Sequence, residues 1–77
     1  LTEPETENRD PVRALSLAKR AVSLERSPVY LDTLAEAYYA NGQRQEAVET
    51  IKEAISAAKE NRGYYRQQLE RFRSSER

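Results

Sequence analysis

Residues 31–55 have the sequence LDTLAEAYYANGQRQEAVETIKEAI. Apolar residues in the first half recur at i, i+3, i+4 and i+7, which places them on one face of an α-helix. They are Leu31, Leu34, Ala35 and Tyr38. Asn41-Gly42 then ends this helix, because glycine adopts the left-handed conformation without penalty. A second helical stripe follows, and it consists of Ala47, Val48, Ile51, Ala54, Ile55 and Ala58. The stretch predicts two antiparallel helices joined by a short turn.

The flanking sequence contains two further helix-start signals. Asp10-Pro11 and Ser27-Pro28 each combine an N-cap residue with proline at the first helical position. Glycine at position 63 is expected to end the third helix. The predicted helices cover about residues 11–24, 29–41, 44–60 and 64–73. Residues 10–73 thus form one helical domain, preceded by a disordered acidic leader at 1–9 and followed by a frayed tail at 74–77.

The apolar pattern repeats along the chain. Moving back 33 residues takes the stripe of the third helix onto that of the first, at Ala14, Leu15, Ala18, Ala21 and Val22. Moving forward 34 residues takes Leu31, Ala35 and Tyr38 onto Tyr65, Leu69 and Phe72. One complete two-helix unit at about 28–61 is therefore flanked by a half-unit on each side. The predicted core consists of Leu31, Leu34, Ala35, Tyr38, Ala47, Ile51, Ala54, Tyr65, Leu69 and Phe72.

Composition excludes several classes of function. The 77 residues contain no cysteine and no histidine, so thiolate or imidazole chemistry has no candidate. We therefore expect no catalytic residue, no metal site and no cofactor. Thirteen basic residues balance thirteen acidic ones, which gives no overall charge that favours nucleic acid. No apolar run approaches the roughly 18 residues that cross a bilayer, so no membrane insertion is expected, and nothing indicates a compartment.

The segment at 31–55 resembles the tetratricopeptide repeat family, with Gly42 at the turn between the two helices of the unit. The resemblance extends over nearly all of 10–73. It implies an all-α, antiparallel helical-hairpin fold, a fragment of an α-solenoid with about four helices. Leu31 stands where the family often has tryptophan, and Ile51 where it often has phenylalanine. Lys59 replaces the proline that usually ends a unit, which predicts a longer third helix. A generic four-helix bundle with coincidental spacing is the alternative.

The resemblance also implies a binding face. In this family the first helix of each unit lines a concave groove that holds peptides or partner helices. The corresponding positions here are Val29, Asp32, Glu36, Tyr39 and Ala40. A carboxylate pair beside an aromatic ring suits a partner segment that carries lysine or arginine, although the same residues are also compatible with a plain solvated helix face. Family members that grip a C-terminal carboxylate use positive groups here, so that function does not transfer.

The sequence is compatible with two other functions. If the chain is a fragment of a larger protein, such as an enzyme or a membrane-associated protein, we expect it to serve there as a structural cap or oligomerisation element. The first helix lacks its own partner helix, which leaves Leu17 and Leu24 available for self-association. Nucleic-acid binding through Arg62, Arg66 and Arg73 is not expected, because the excess of positive charge is small.

Overall fold

The structure is a computed structural model that describes residues 10–74. These residues form four helices, α1 (Pro11–Leu24), α2 (Pro28–Ala40), α3 (Arg44–Ala57) and α4 (Arg62–Ser74). The described range contains no β-strand, so the all-α fold expected from the sequence is confirmed. The predicted leader at 1–9 and the last three residues of the predicted tail lie outside the described residues, while Ser74 is the final residue of α4.

Side-chain caps fix the start of the first two helices, as the sequence predicts. The Asp10 carboxylate accepts a hydrogen bond from the Arg13 backbone N–H at 3.2 Å. The Ser27 hydroxyl accepts one from the Tyr30 N–H at 3.3 Å. Each bond satisfies an N–H group that a helix leaves unpaired in its first turn, and the proline that follows each cap has no N–H to satisfy.

The turn between α2 and α3 uses the predicted glycine. Gly42 has a φ of 79°, and its N–H donates to the Tyr39 carbonyl at 3.0 Å. The Gln43 N–H donates to the Tyr38 carbonyl at 2.9 Å. These bonds satisfy carbonyls at the end of α2 that have no partner within the helix, so the chain reverses direction within a few residues.

The boundary between α3 and α4 corrects the prediction. α3 ends at Ala57 rather than near residue 60, and Gly63 lies inside the first turn of α4 instead of ending α3. The backbone becomes extended at Ala58, with a ψ of 137°, while Ala58 itself stays buried. The left-handed residue of this turn is Asn61, with a φ of 60°. Asparagine tolerates this conformation better than most residues, which is why the glycine is not needed there.

Each helix packs chiefly against its neighbours in the chain, and the contact of α2 with α3 is the most extensive. The domain measures 42 × 34 × 18 Å, so every helix reaches water on at least one side. Alanines permit the helices to approach closely, and larger side chains fill the space between them. The buried core consists of Ala18, Val22, Leu31, Leu34, Ala35, Ala37, Ala47, Ile51, Ala54, Ala58, Tyr65 and Phe72.

Burial follows the repeat that was identified in the sequence. Of the ten predicted core residues, eight are buried, and Tyr38 and Leu69 are half-buried against the core. Leu31 and its counterpart Tyr65, 34 residues later, are both buried. Leu31 on α2 and Tyr65 on α4 therefore have the same packing role.

Replacing Ile51 with alanine should lower the free energy of unfolding by about 2–5 kcal/mol, because it removes buried methylene groups and leaves a cavity. Ile51 is fully buried. Urea denaturation followed by circular dichroism measures the change. The exposed Val12 provides a control, since Val12→Ala should alter stability by less than about 0.5 kcal/mol. Equal unfolding midpoints for the two variants would contradict this account of the core.

Candidate functional site

Polar and aromatic side chains of α2 and α4 meet along one side of the domain. Each helix contributes three residues at i, i+4 and i+7, a spacing that places them in one row on the helix surface. We call this the α2–α4 face, and its residues are Asp32, Glu36, Tyr39, Tyr64, Gln68 and Arg71. Three of them, all on α2, are among the five binding residues predicted from the sequence.

Glu36 is held by two residues of α4. The Gln68 side-chain amide donates a hydrogen bond to one carboxylate oxygen, and Arg71 Nη2 donates to Oε1 at 2.7 Å. The Arg71 and Glu36 side chains remain 50% and 42% exposed. Solvent screens an ion pair of this kind, so it contributes at most about 1 kcal/mol to stability. Its main effect is that the Glu36 carboxylate is already bound by α4 and is less available to a partner.

Tyr39 is also engaged within the chain. Its ring lies 4.8 Å from the Phe72 ring between centroids, at a tilt of 32°. The Arg71 guanidinium lies over both rings, 5.5 Å from the Tyr39 centroid and 5.0 Å from that of Phe72. Cation–π attraction and the ion pair with Glu36 together fix the Arg71 side chain across the gap between α2 and α4.

Asp32 is the incompletely neutralised carboxylate of this face. Its hydrogen bond from Gln68 Nε2 to Oδ1 is long, 3.4 Å, and no cation within residues 10–74 forms an ion pair with it. Burial raises the pKa of Asp32 above its ordinary value of 3.8, and the negative charge of Glu36 adds to the increase. Hydrogen bonds from Gln68 and Tyr64 and the more distant charge of Arg71 oppose this increase only in part.

The other two predicted binding residues lie apart from these contacts. Val29 is exposed and lines a surface cavity of about 320 Å³ at the start of α2, together with Pro28 and Tyr65. Asp32 lies one helical turn after Val29 but does not line the cavity. Ala40 is exposed at the last position of α2. Neither Val29 nor Ala40 takes part in the contacts between α2 and α4 described above.

Sequence reasoning missed the contribution of α4 to this site. Gln68 and Arg71 occupy the positions 34 residues after Leu34 and Ala37, which are buried apolar residues on α2. The sequence did contain a signal for this contribution, since α4 has polar residues at two positions where α2 has apolar ones. Tyr64 lies beside them and is 52% exposed. Its hydroxyl oxygen accepts a hydrogen bond from Gln68 Nε2 at 3.4 Å.

Within residues 10–74, no group of three or more aspartate or glutamate side chains is arranged to hold a metal ion. In the same part of the chain, no helix combines the length and the apolar character needed to cross a membrane.

Comparison with models of protein families, with curated proteins and with solved structures gives no match. Arguments about function therefore rest on the residues and contacts described above.

Asp32→Asn should raise the thermal midpoint at pH 7, because the folded state disfavours the ionised carboxylate. Since the pKa of Asp32 is higher in the folded state than in the unfolded chain, the native protein binds the proton first as the pH falls. The thermal midpoint of the wild type therefore rises relative to that of Asp32→Asn as the pH falls. The difference between the two midpoints should disappear below about pH 4. Thermal unfolding at several pH values measures this. Ser56→Ala, which removes no titratable group from an exposed position of α3, should show no such pH-dependent difference.

Proposed function

We propose that this chain is a protein-binding module of the tetratricopeptide type, and that its α2–α4 face receives a partner segment that carries lysine or arginine. The observation that carries the proposal is the half-buried Asp32 carboxylate, which has no ion pair within residues 10–74. A partly desolvated charge without a counter-ion costs free energy, and an incoming cation removes that cost.

Two features of the fold support the tetratricopeptide interpretation. The segment at 31–55 carries the family pattern, and its predicted small residues Ala35, Ala47 and Ala54 are fully buried between helices. The helices also pack in chain order, as neighbouring helices do in a stack of two-helix units. In such proteins the first helix of each unit faces the groove, and α2 and α4 are the first helices here.

The neighbours of Asp32 favour a particular partner chemistry. Glu36 already binds Gln68 and Arg71, so Asp32 is the carboxylate that can gain most from a cation. Tyr64 presents an exposed ring beside it, which can stack on a guanidinium or cover an aliphatic stem. The cavity next to Val29 accommodates a small apolar side chain. Together they suit an arginine or lysine flanked by an aliphatic residue.

A peptide library tests this proposal. The fluorescently labelled peptides have one central position occupied by arginine, lysine or glutamine and an aliphatic residue at each neighbouring position in turn. The wild-type chain should prefer the basic peptides, and Asp32→Asn should weaken their binding by about tenfold, since a charged hydrogen bond contributes roughly 1.5 kcal/mol. Fluorescence anisotropy measures the dissociation constants.

The controls separate binding from folding. Asp32→Asn is expected to be at least as stable as the wild type, so weaker binding by this variant cannot result from unfolding. Glu49→Gln removes a negative charge from α3 and should leave peptide binding unchanged. Equal affinity of the wild type and Asp32→Asn for every basic peptide would contradict the proposal.

A second candidate function is structural, and the polar surface of α4 favours it. The exposed residues of α4 include Arg66, Gln67, Glu70 and Arg73, all of which are polar. A terminal unit of a helical stack needs a polar outer face, because no further unit covers it. In this alternative the chain ends a longer helical array, or joins one protein to another as an appendage. Substitution of Asp32 would then leave its role unaffected.

A further inference from the structure

The outward side of α1 carries an apolar stripe that no helix within residues 10–74 covers. We call it the α1 stripe, and it consists of Ala14, Leu17, Ala21 and Leu24. The side chains of Leu17 and Leu24 are 57% and 80% exposed. The alternating spacing of three and four residues is that of a seam at which one helix packs against another.

The equivalent side of α3 shows what kind of element covers such a stripe. Moving forward 33 residues takes Ala14 and Ala21 onto Ala47 and Ala54, which are fully buried. The same shift takes Leu17 onto the half-buried Thr50 and Leu24 onto the exposed Ala57, so the covered part of the stripe is the line of the alanines and Leu17. α3 packs between α2 and α4, whereas α1 packs chiefly against α2. The helix that α1 lacks is therefore the counterpart of α2. An amphipathic helix is the occupant that the internal repeat indicates.

A salt bridge at the edge of α3 gives the charge of that occupant. Arg26, which lies just before α2, binds Glu53 of α3 through Nε to Oε2 at 2.8 Å and through Nη2 to Oε1 at 2.7 Å. Moving back 33 residues takes Glu53 onto Arg20. The charge is reversed, and the Arg20 side chain forms no ion pair within residues 10–74. We therefore expect the helix that covers α1 to be preceded by an acidic residue, at the position equivalent to that of Arg26 before α2.

Two other occupants fit less well. If two copies of α1 paired in an antiparallel, two-fold symmetric arrangement, the same edge of each helix would face the other copy. Arg13 and Arg20 of one copy would then lie against Arg13 and Arg20 of the second copy. Like charges in this position oppose association. The residues at 1–9 are acidic, but Leu1 is their only large apolar residue. They therefore cannot supply the repeated apolar side chains that the α1 stripe requires.

We infer that the α1 stripe docks an amphipathic helix of a separate polypeptide, with an acidic residue before its first turn that pairs with Arg20. The large apolar residues of that helix face Ala14 and Ala21, whose counterparts on α3 are fully buried. This surface lies on α1 and does not depend on the α2–α4 face, so either one can function without the other.

A charge-swap experiment tests the inference. Two fluorescent peptides correspond to residues 26–42, one with the native sequence and one with Arg26→Glu. The full 77-residue chain should bind the Arg26→Glu peptide about threefold more tightly, as expected for one exposed ion pair. In the Arg20→Glu chain the order of affinities should reverse. Leu17→Asp should weaken the binding of both peptides by more than about tenfold, because it places a charge in the apolar contact.

Matched measurements decide between the possible occupants. Ser16→Asp introduces the same charge on an exposed part of α1 outside the stripe, and it should leave peptide binding unchanged. Circular dichroism checks that each variant remains folded.

The inference is overturned if Leu17→Asp binds as well as the wild type, or if Arg20→Glu leaves the order of affinities unchanged. It is also overturned if neither peptide binds, or if deletion of residues 1–9 is required for binding. Sedimentation that shows a dimer of the wild type, dissociated by Leu17→Asp, would identify a second copy as the occupant instead.

Discussion

The burial of α3 between α2 and α4 is the interaction on which the rest of the structure depends. Ala47, Ile51 and Ala54 on α3 are fully buried, and α3 packs against α2 on one side and against α4 on the other. Helices of this length are marginal alone, since most of their stability comes from packing of an apolar face. α1 and α4 therefore remain folded because each lies against a helix that α3 helps to hold in place.

The two ends of the stack differ in chemistry. At α4, Gln68 and Arg71 replace the apolar residues of α2, and they reach back to the carboxylates of α2. At α1, leucines are exposed in a regular row. The exposed surface at α4 is therefore polar, whereas that at α1 is partly apolar. Because Gln68 and Arg71 both bind Glu36, Asp32 is the carboxylate of the α2–α4 face that has no ion pair within residues 10–74.

Much of the fold could be predicted from the sequence because local signals and the repeat agree. Asp10 and Ser27 act as caps, Gly42 takes the left-handed conformation, and the apolar periodicity identifies the core. The boundary after α3 could not be predicted in this way. Asparagine and glycine both tolerate positive φ, and which of them adopts it depends on the packing of Ala58 into the core. Such tertiary preferences leave no local pattern.

The candidate site was less predictable than the fold. The positions of Asp32, Glu36 and Tyr39 on one side of α2 follow from helical spacing alone. Their engagement by Gln68, Arg71 and Phe72 does not, because it depends on how far apart α2 and α4 lie across the stack. Spacing along one helix indicates which side chains share a face, and only the arrangement of helices shows which of them remain available.

The packing of each helix against its chain neighbours also has a consequence for kinetics. Most contacts join residues that are close in the sequence, so little loop-closure entropy opposes their formation. Chains with this low contact order fold in microseconds to milliseconds. We expect folding to begin at the hairpin of α2 and α3, because a short turn at Gly42 joins the two helices that have the most extensive contact. The outer helices then add to it, which lets the domain fold rapidly wherever it is placed along a longer polypeptide.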